Sequence, residues 1–289
     1  MEKFFDRLGE ILSADPGGRG LLGQLPRQDP SKAVRLLTSA NKTFIVTGFP
    51  IASAGIGEND GPVGAASLAY ALCRAGRQAY IVTDSWSERI VKACLKALGC
   101  AAPVICLERG GPGEISSIAS RLRPDLIVTI ERPGKGRDGH FHNMRGQVID
   151  DMVADTDAFL TCGLPVISIG DGGNELGMGN FYDIIASHVS CGSVIAAAGR
   201  CDVPLAAGIS NWWGWGLAAA IGAVTGDMGC MTDGQQEYMS LRAAMESGGV
   251  DGVRGLPEMS ADGIELGGID TIHRRLRQAL EDFLAGRQY

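Results

Sequence analysis

The stretch Ile169-Gly170-Asp171-Gly172-Gly173-Asn174-Glu175-Leu176-Gly177-Met178-Gly179 sets two carboxylates and a carboxamide among five glycines, directly after the apolar run Pro165-Val166-Ile167-Ser168-Ile169. An apolar run that stops at Asp-Gly-Gly reads as a buried strand whose chain turns at its carboxyl end, where glycine permits positive φ and lets backbone approach a ligand closely. Open α/β sheets keep their ligands at that end. A helix beginning near Asn174 would aim free N–H groups out of its first turn, and Asp171 and Glu175 could share a cation or bracket an amine. A glycine-rich turn capped by Asp and Asn is the plainer alternative.

Other acids stand at similar junctions. The β-rich Thr43–Phe49 is followed by Glu58-Asn59-Asp60-Gly61 and then Pro62, a residue suited to the first turn of a helix. Glu58 and Asp60 would repel a bare anion, and neither G-x-G-x-x-G nor a P-loop lysine is present, so a metal or an ammonium fits this loop better. Two acids favouring a helix amino terminus is the competing account. Asp84 ends Ala79–Thr83, either as a ligand-reading acid or as a helix cap. Glu131-Arg132-Pro133-Gly134 ends the apolar 124–130, and the polar stretch 134–146 after it reads as a substrate-binding loop or lid. Within that region Arg132 and Arg145 could each clamp a carboxylate in a bidentate fork or form ordinary salt bridges. His140 and His142 could ligate a metal, but hydrogen bonding or packing suits one H-x-H as well. Asn211 is the polar candidate after the run 203–209, beside a packing cluster of Trp212, Trp213 and Trp215. Asp251 and Asp262 read as turn formers.

The elements that must position these groups alternate. Strands at 43–49, 79–83, 103–107, 124–130, 165–169 and 203–209, with a further one at 194–197, are interleaved with helical patterns, the repetition of βαβ units. Helices are expected from Pro62, from Ser87 to Leu98, from Glu114 to Leu122, from Phe181 to Ser190, from Leu217 to Val224, from Asp233 to Glu246 and from Ile269 to Leu284. The fold class that follows is a Rossmann-like layered α/β/α arrangement with a mostly parallel sheet. Ahead of it, residues 1–40 read as a helical extension for packing or oligomerisation, with Phe4, Phe5, Leu8, Ile11 and Leu12 on one face, and 41–289 as a single α/β domain.

Composition narrows the partners. With 289 residues, 45% of them hydrophobic, the chain has material for a large core, and a formal charge of −7 without a Lys/Arg run argues against a nucleic-acid footprint. No stretch of about 18 uncharged apolar residues suggests a membrane span, and the amino terminus lacks a secretory apolar core. A cytoplasmic homo-oligomer acting on a small molecule is therefore expected. The eight cysteines lack any C-x-x-C pair, so neither a zinc knuckle nor a disulfide framework is visible.

Several of these stretches together resemble the D-glutamate cyclase-like C-terminal domain family: Thr47-Gly48-Phe49, Glu58 to Ala65, Glu131 to Gly134, His142 to Gly146, Ile169 to Gly179, Ser210-Asn211-Trp212 and Asp251-Gly252-Val253. The similarity runs from about Thr43 onward. Where the family usually carries Glu-Thr-Asp-Gly-Pro-Pro-Gly-Ala, this chain has Asn59 and Val63, with both acids retained. The resemblance implies a hydro-lyase that dehydrates the amino acid D-glutamate to 5-oxo-D-proline and water. For such a reaction, a divalent Mg²⁺ or Mn²⁺ held by Glu58, Asp60, Asp171 and Glu175 would polarise the γ-carboxylate. Asp171, Glu175, Asp84, Glu131 and His142 are the candidates for proton transfer or its support, and Arg132, Asn143, Arg145, Asn174 and Asn211 for binding substrate carboxylates. Two other classes compete: a metal-dependent enzyme binding a nucleotide or sugar phosphate, which needs a basic site at Lys135 or Arg137, and a non-catalytic metal or amino-acid binding protein.

Overall fold

In a computed structural model, which describes residues 1–286, six runs rich in β-branched and aliphatic residues form one sheet. These are β1 (Lys42–Thr47), β2 (Gln78–Asp84), β3 (Val104–Leu107), β4 (Leu126–Ile130), β5 (Val166–Gly170) and β6 (Val203–Ala206). They pair in parallel throughout, in the order β3-β2-β1-β4-β5-β6. Chain direction across the sheet reverses beside β1, so a crevice opens outside the carboxyl ends of β1 and β4, where doubly wound folds bind ligands.

Alternation along the strands supplies two buried faces. Ile45, Val128, Ile167 and Leu205 belong to the larger core, shared with helices α1 (Glu2–Leu12), α2 (Ser31–Ser39), α3 (Pro62–Arg74), α4 (Glu88–Ala97) and the last three helices of the chain. Phe44, Val46, Ile127 and Val166 face the other way onto α5 (Gly111–Leu122) and Phe159. Helices α6 (Tyr182–His188) and α7 (Gly192–Ile195) follow β5, and a layered α/β fold results. The last three helices are α8 (Ser210–Thr225), α9 (Gly234–Glu246) and α10 (Leu266–Leu284). No helix among the described residues is long and apolar enough to cross a membrane.

Three local expectations change. Residues 194–197 fall at the end of the short helix α7 instead of forming a strand. No helix starts at Asn174: residues 171–178 form an irregular loop with Gly173 and Gly177 at positive φ, and the N–H groups of Asp171, Gly172 and Gly173 donate to the Glu175 carboxylate. The third change is at Ser210, where α8 begins seven residues earlier than the small-residue pattern from Leu217 suggests. Its first N–H groups, from Ser210 and Asn211, donate to Asp60 at 2.9 and 2.8 Å. A cap supplied from 150 residues away leaves no local signature. The helix is buried on nearly all sides, and Gly214 lets its backbone touch that of Gly64 in α3, where a Cβ would strike the Gly64 carbonyl.

Under α8 lies a polar group of the core. Glu237 of α9 accepts hydrogen bonds from Ser67 and from Thr232, the latter at 2.5 Å, and the Thr232 hydroxyl also meets His273 Nε2 at 3.3 Å. Burial pushes the Glu237 carboxyl up to about 7 and holds His273 down to about 4, with Asp233 close to both and Arg277 and Asp270 beside the histidine. The carboxyl, raised in the folded state, contributes stability that is full below its ordinary value near 4.5 and is lost as pH rises to about 7. The histidine, depressed, contributes stability that is present above about 6.5 and is lost as pH falls through about 4. The two slopes oppose each other between these limits. Glu237→Gln should therefore gain stability relative to the parent as pH rises from 4.5 to 7, by roughly 3 kcal/mol in total. Urea unfolding of parent and variant across that range reads the difference; a pH-independent difference contradicts it.

Candidate functional site

The carboxyl ends of the strands deliver acids to one place. Glu58 and Asp60 arrive in the loop after β1, Glu131 directly after β4, Asp171 directly after β5, and Glu175 folds back over the glycines of its own loop. All are buried, and Asp262, from the turn 261–264, joins them at 8% exposure. One carboxylate oxygen each from Asp60, Asp171 and Asp262 lies within 4.8 Å of the other two, and the same holds for Glu131, Asp171 and Glu175. Close approach depends on glycine: a Cβ at Gly252 would strike the carboxylates of Glu58 and Asp262, and one at Gly170 would strike Glu175. Glu131 sits at φ 46°, in the left-handed region that a non-glycine residue occupies at a cost. Its Oε2 accepts from the Ser210 hydroxyl at 2.5 Å.

A buried guanidinium faces these acids. Arg19, from the loop between α1 and α2, donates to Asp171 and lies 2.8 Å from Asp262, with its side chain only 18% exposed. Burial, and then the mutual repulsion of the acids, drives the Glu58, Glu131 and Asp171 carboxyls well above the usual range, although Arg19 pulls against the shift at Glu58 and Asp171. Asp60 is pushed up to about 8 by burial, with Asp262 adding to the shift, and burial also raises Glu175 against the N–H groups that donate to it. A cation entering a buried cluster of this kind favours the ionised carboxylates over the protonated ones.

The chemistry of the donor set fits a hard divalent ion. Oxygen ligands about 2.0–2.6 Å from Mg²⁺ or Ca²⁺ stand up to about 4–5 Å apart across the ion, which both triads match. Asp171 belongs to both triads, and its Oδ2 is buried with no hydrogen-bond partner among the described residues. Arg19 occupies two of the same carboxylates and must compete with such an ion. Arg19→Met is expected to tighten Mn²⁺ binding about tenfold or more, since close charges interact by more than 1.4 kcal/mol away from bulk water. Calorimetry with Mn²⁺ reads this, and unchanged or weaker binding would refute the competition.

Above the acids, a pocket of about 270 Å³ is lined by Glu58, Glu131, Asp262 and Arg19 together with Asn143, Asn174, Arg145 and Arg254. The Arg145 side chain is exposed at its mouth and has no partner among the described residues. Asn174 is oriented by donation to the His142 carbonyl at 2.8 Å, and Asn143 holds its own turn through Arg145 and Gln147 N–H groups.

Other candidates fall elsewhere. Arg132 does not reach the pocket: it is fully buried, with Nη1 2.6 Å from Asp84 and 3.1 Å from the Gly48 carbonyl, and it also bonds the Ala154 carbonyl and Thr156. Asp84 is committed to Arg132 and to the Trp86 and Ala154 N–H groups, so this pair braces the strand ends and presents nothing to a substrate. Asn211 is likewise used up, its Oδ1 accepting from Gly61 and Gly64 and its Nδ2 donating to the Asn59 carbonyl. His142 turns its Nε2 to Asp138 at 2.9 Å, and His140 pairs with Asp150 at 2.6 Å, so the two rings do not share an ion. Asp251 is the turn former expected, accepting from Val253, Arg254 and Gly263, whereas Asp262 combines a turn conformation at φ 52° with a place among the acids. Lys135 and Arg137 do not form a phosphate site: the first pairs with Asp155 at 2.5 Å and the second stacks 3.5 Å over the Tyr182 ring. Arg19 and Asp262 are the site groups that sequence reading missed. The isolated arginine in Gly17-Gly18-Arg19-Gly20 was the one available signal.

Fold and site together define an α/β protein with an acid-lined ligand pocket at the switch point of its sheet. The chain belongs to the D-glutamate cyclase-like, C-terminal family, whose profile matches residues 8–277. It is 32% identical over 233 residues to a human protein, "D-glutamate cyclase, mitochondrial". That match covers 74% of this chain but only 38% of the human protein.

Proposed function

We propose that this chain cyclises D-glutamate to 5-oxo-D-proline and water. The observation that carries the reading is one small pocket with buried acids at its base and an unpaired guanidinium, Arg145, at its mouth. A cavity of about 270 Å³ is below the usual range for drug-sized ligands, which suits an amino acid better than a nucleotide. Family membership and the name of the human relative support the same substrate.

In this reading the substrate ammonium enters beside Glu58 and Glu131, while Arg145 and Asn174 hold its α-carboxylate. Ring closure forms the N–Cδ bond and breaks a Cδ–O bond of the γ-carboxylate. The nitrogen gives up two protons and the departing oxygen takes up two, so no external acid or base is consumed. Glu131 is the group assigned to this transfer. It lines the pocket, its backbone is pinned by Gly48 and Ile169, and burial raises its proton affinity well above that of an ordinary carboxyl, as suits a group that accepts and returns a proton. Holding amine and carboxylate in reach exploits effective molarities of ~10⁵ M or more. Asp60, Asp171 and Asp262 would hold a Mg²⁺ or Mn²⁺, which would supply Lewis acidity to an otherwise poor electrophile and leave Glu131 free for the proton.

Incubating the purified chain with D- and L-glutamate, with and without Mn²⁺, and following 5-oxoproline by chromatography tests the proposal. Product from the D isomer is expected. Absence of product from either isomer rejects it, and calorimetric binding of D-glutamate without turnover would favour a binding protein instead.

A further inference from the structure

Two of the eight cysteines, linked by no motif in the sequence, are brought together by the fold. Cys73 lies in the last turn of α3 and is exposed. Cys100 is half-buried and follows Gly99, which ends the turn after α4 at φ 63°; its N–H donates to the Leu95 carbonyl at 2.9 Å. Helices α3 and α4 pack side by side on one face of the sheet, so the end of the first and the exit of the second meet at the amino ends of β2 and β3. There Cys73 Sγ accepts from the Ala79 N–H and Cys100 Sγ from the Ala102 N–H. Ala79 and Ala102 each stand two residues before the paired Ile81 and Val104, so the register of the two strands sets these anchors side by side. Across that gap the thiols meet, Cys100 donating a hydrogen bond to Cys73.

In thiol–disulfide exchange the thiolate is the nucleophile, and a second thiol within reach resolves the adduct it forms. The bond from Cys100 lowers the proton affinity of Cys73, while that bond and burial raise the proton affinity of Cys100 itself. The accessible thiol is thus also the one readier to ionise, and its resolving partner is already in contact with it. We propose that Cys73 and Cys100 form a reversible disulfide by exchange with a low-molecular-weight disulfide such as oxidised glutathione. The Cys73 thiolate attacks one sulfur of the small disulfide, breaking its S–S bond and releasing one thiolate. Cys100 then gives up its proton and attacks Cys73 Sγ in the mixed disulfide, expelling the other half. Two protein thiols are oxidised, one small disulfide is reduced, and the two protons that the protein loses are taken up by the released thiolates. The cross-link ties the far end of α3 to the turn before β3, at the edge of the sheet opposite the acids, and the inference does not depend on the reaction proposed there.

The test incubates the reduced full chain with oxidised glutathione, blocks the remaining thiols with iodoacetamide under denaturing conditions, and maps the peptides by mass spectrometry, with fragmentation separating Cys100 from Cys106. A cross-linked pair joining Cys73 to Cys100 is expected, with the loss of two hydrogens and of both free thiols, and dithiothreitol should restore them. Cys100→Ser, which removes the resolving thiol and keeps its size, should stop at the mixed disulfide and retain one glutathione on Cys73. Cys73→Ser should leave Cys100 reduced. Thermal melting of both variants beside the parent shows that they are folded. Absence of the cross-link at millimolar oxidised glutathione, glutathione retained on Cys73 of the parent, a cross-link from Cys73 to another cysteine, or a folded Cys100→Ser chain that takes up no glutathione at Cys73 would overturn the proposal.

Discussion

Asp171→Asn is expected to lower D-glutamate turnover by about three orders of magnitude or more, in line with the loss of a positioned charge at a reacting centre. Asp171 is the carboxylate shared by both acidic triads, and its Oδ2 is the buried oxygen left without a partner. Asparagine keeps the shape but replaces one oxygen by an NH₂ that cannot ligate a cation. Mn²⁺ affinity should fall with activity, by at least about tenfold. Folding should not suffer, because one of several crowded buried negative charges has been removed while Arg19 keeps Asp262 as its partner. The informative measurement combines turnover, calorimetry with Mn²⁺ and thermal melting on one preparation. Near-parental turnover would remove Asp171 from the proposed chemistry, and loss of folding would show that the acid is structural.

Arg132→Met should act in the opposite manner, costing about 3–5 kcal/mol of stability because it strands the buried Asp84 carboxylate. At about 2–4 °C per kcal/mol for a domain of this size, the melting temperature should drop by about 10 °C. The guanidinium also satisfies the carbonyls of Gly48 and Ala154, which the variant leaves unmet. Adding Asp84→Asn should recover part of the loss, since the uncompensated charge then disappears. A substrate clamp would behave differently, with a raised KM and an unchanged melt. Melting of the single and double variants, set beside their KM values, separates the two roles.

These two residues show what could be read in advance. Glu131 and Asp171 were legible because each ends an apolar run, and in a parallel sheet that position is the ligand edge whatever the rest of the chain does. Whether the next side chain turns into the pocket or behind it depends on neighbours that are remote in sequence. Glu131 and Arg132 are adjacent, yet one lines the pocket and the other is locked to Asp84, Gly48 and Ala154. Asn211 shows the same limit: a polar residue after a strand was visible, but its capture by the loop at Asn59, Gly61 and Gly64 was not. Arg19 was hidden because the segment around it shows only helical stripes and glycine breaks, and its partners lie more than 150 residues away.

The seam between the β1 loop and α8 ties two distant parts of the molecule to one charge. Asp60 is both a corner of an acidic triad and the group that stitches down the first turn of the tryptophan helix. Whatever draws on its oxygens also tugs at that turn, and the indoles of Trp212, Trp213 and Trp215 in the same helix stand where they would register the event as a change in emission.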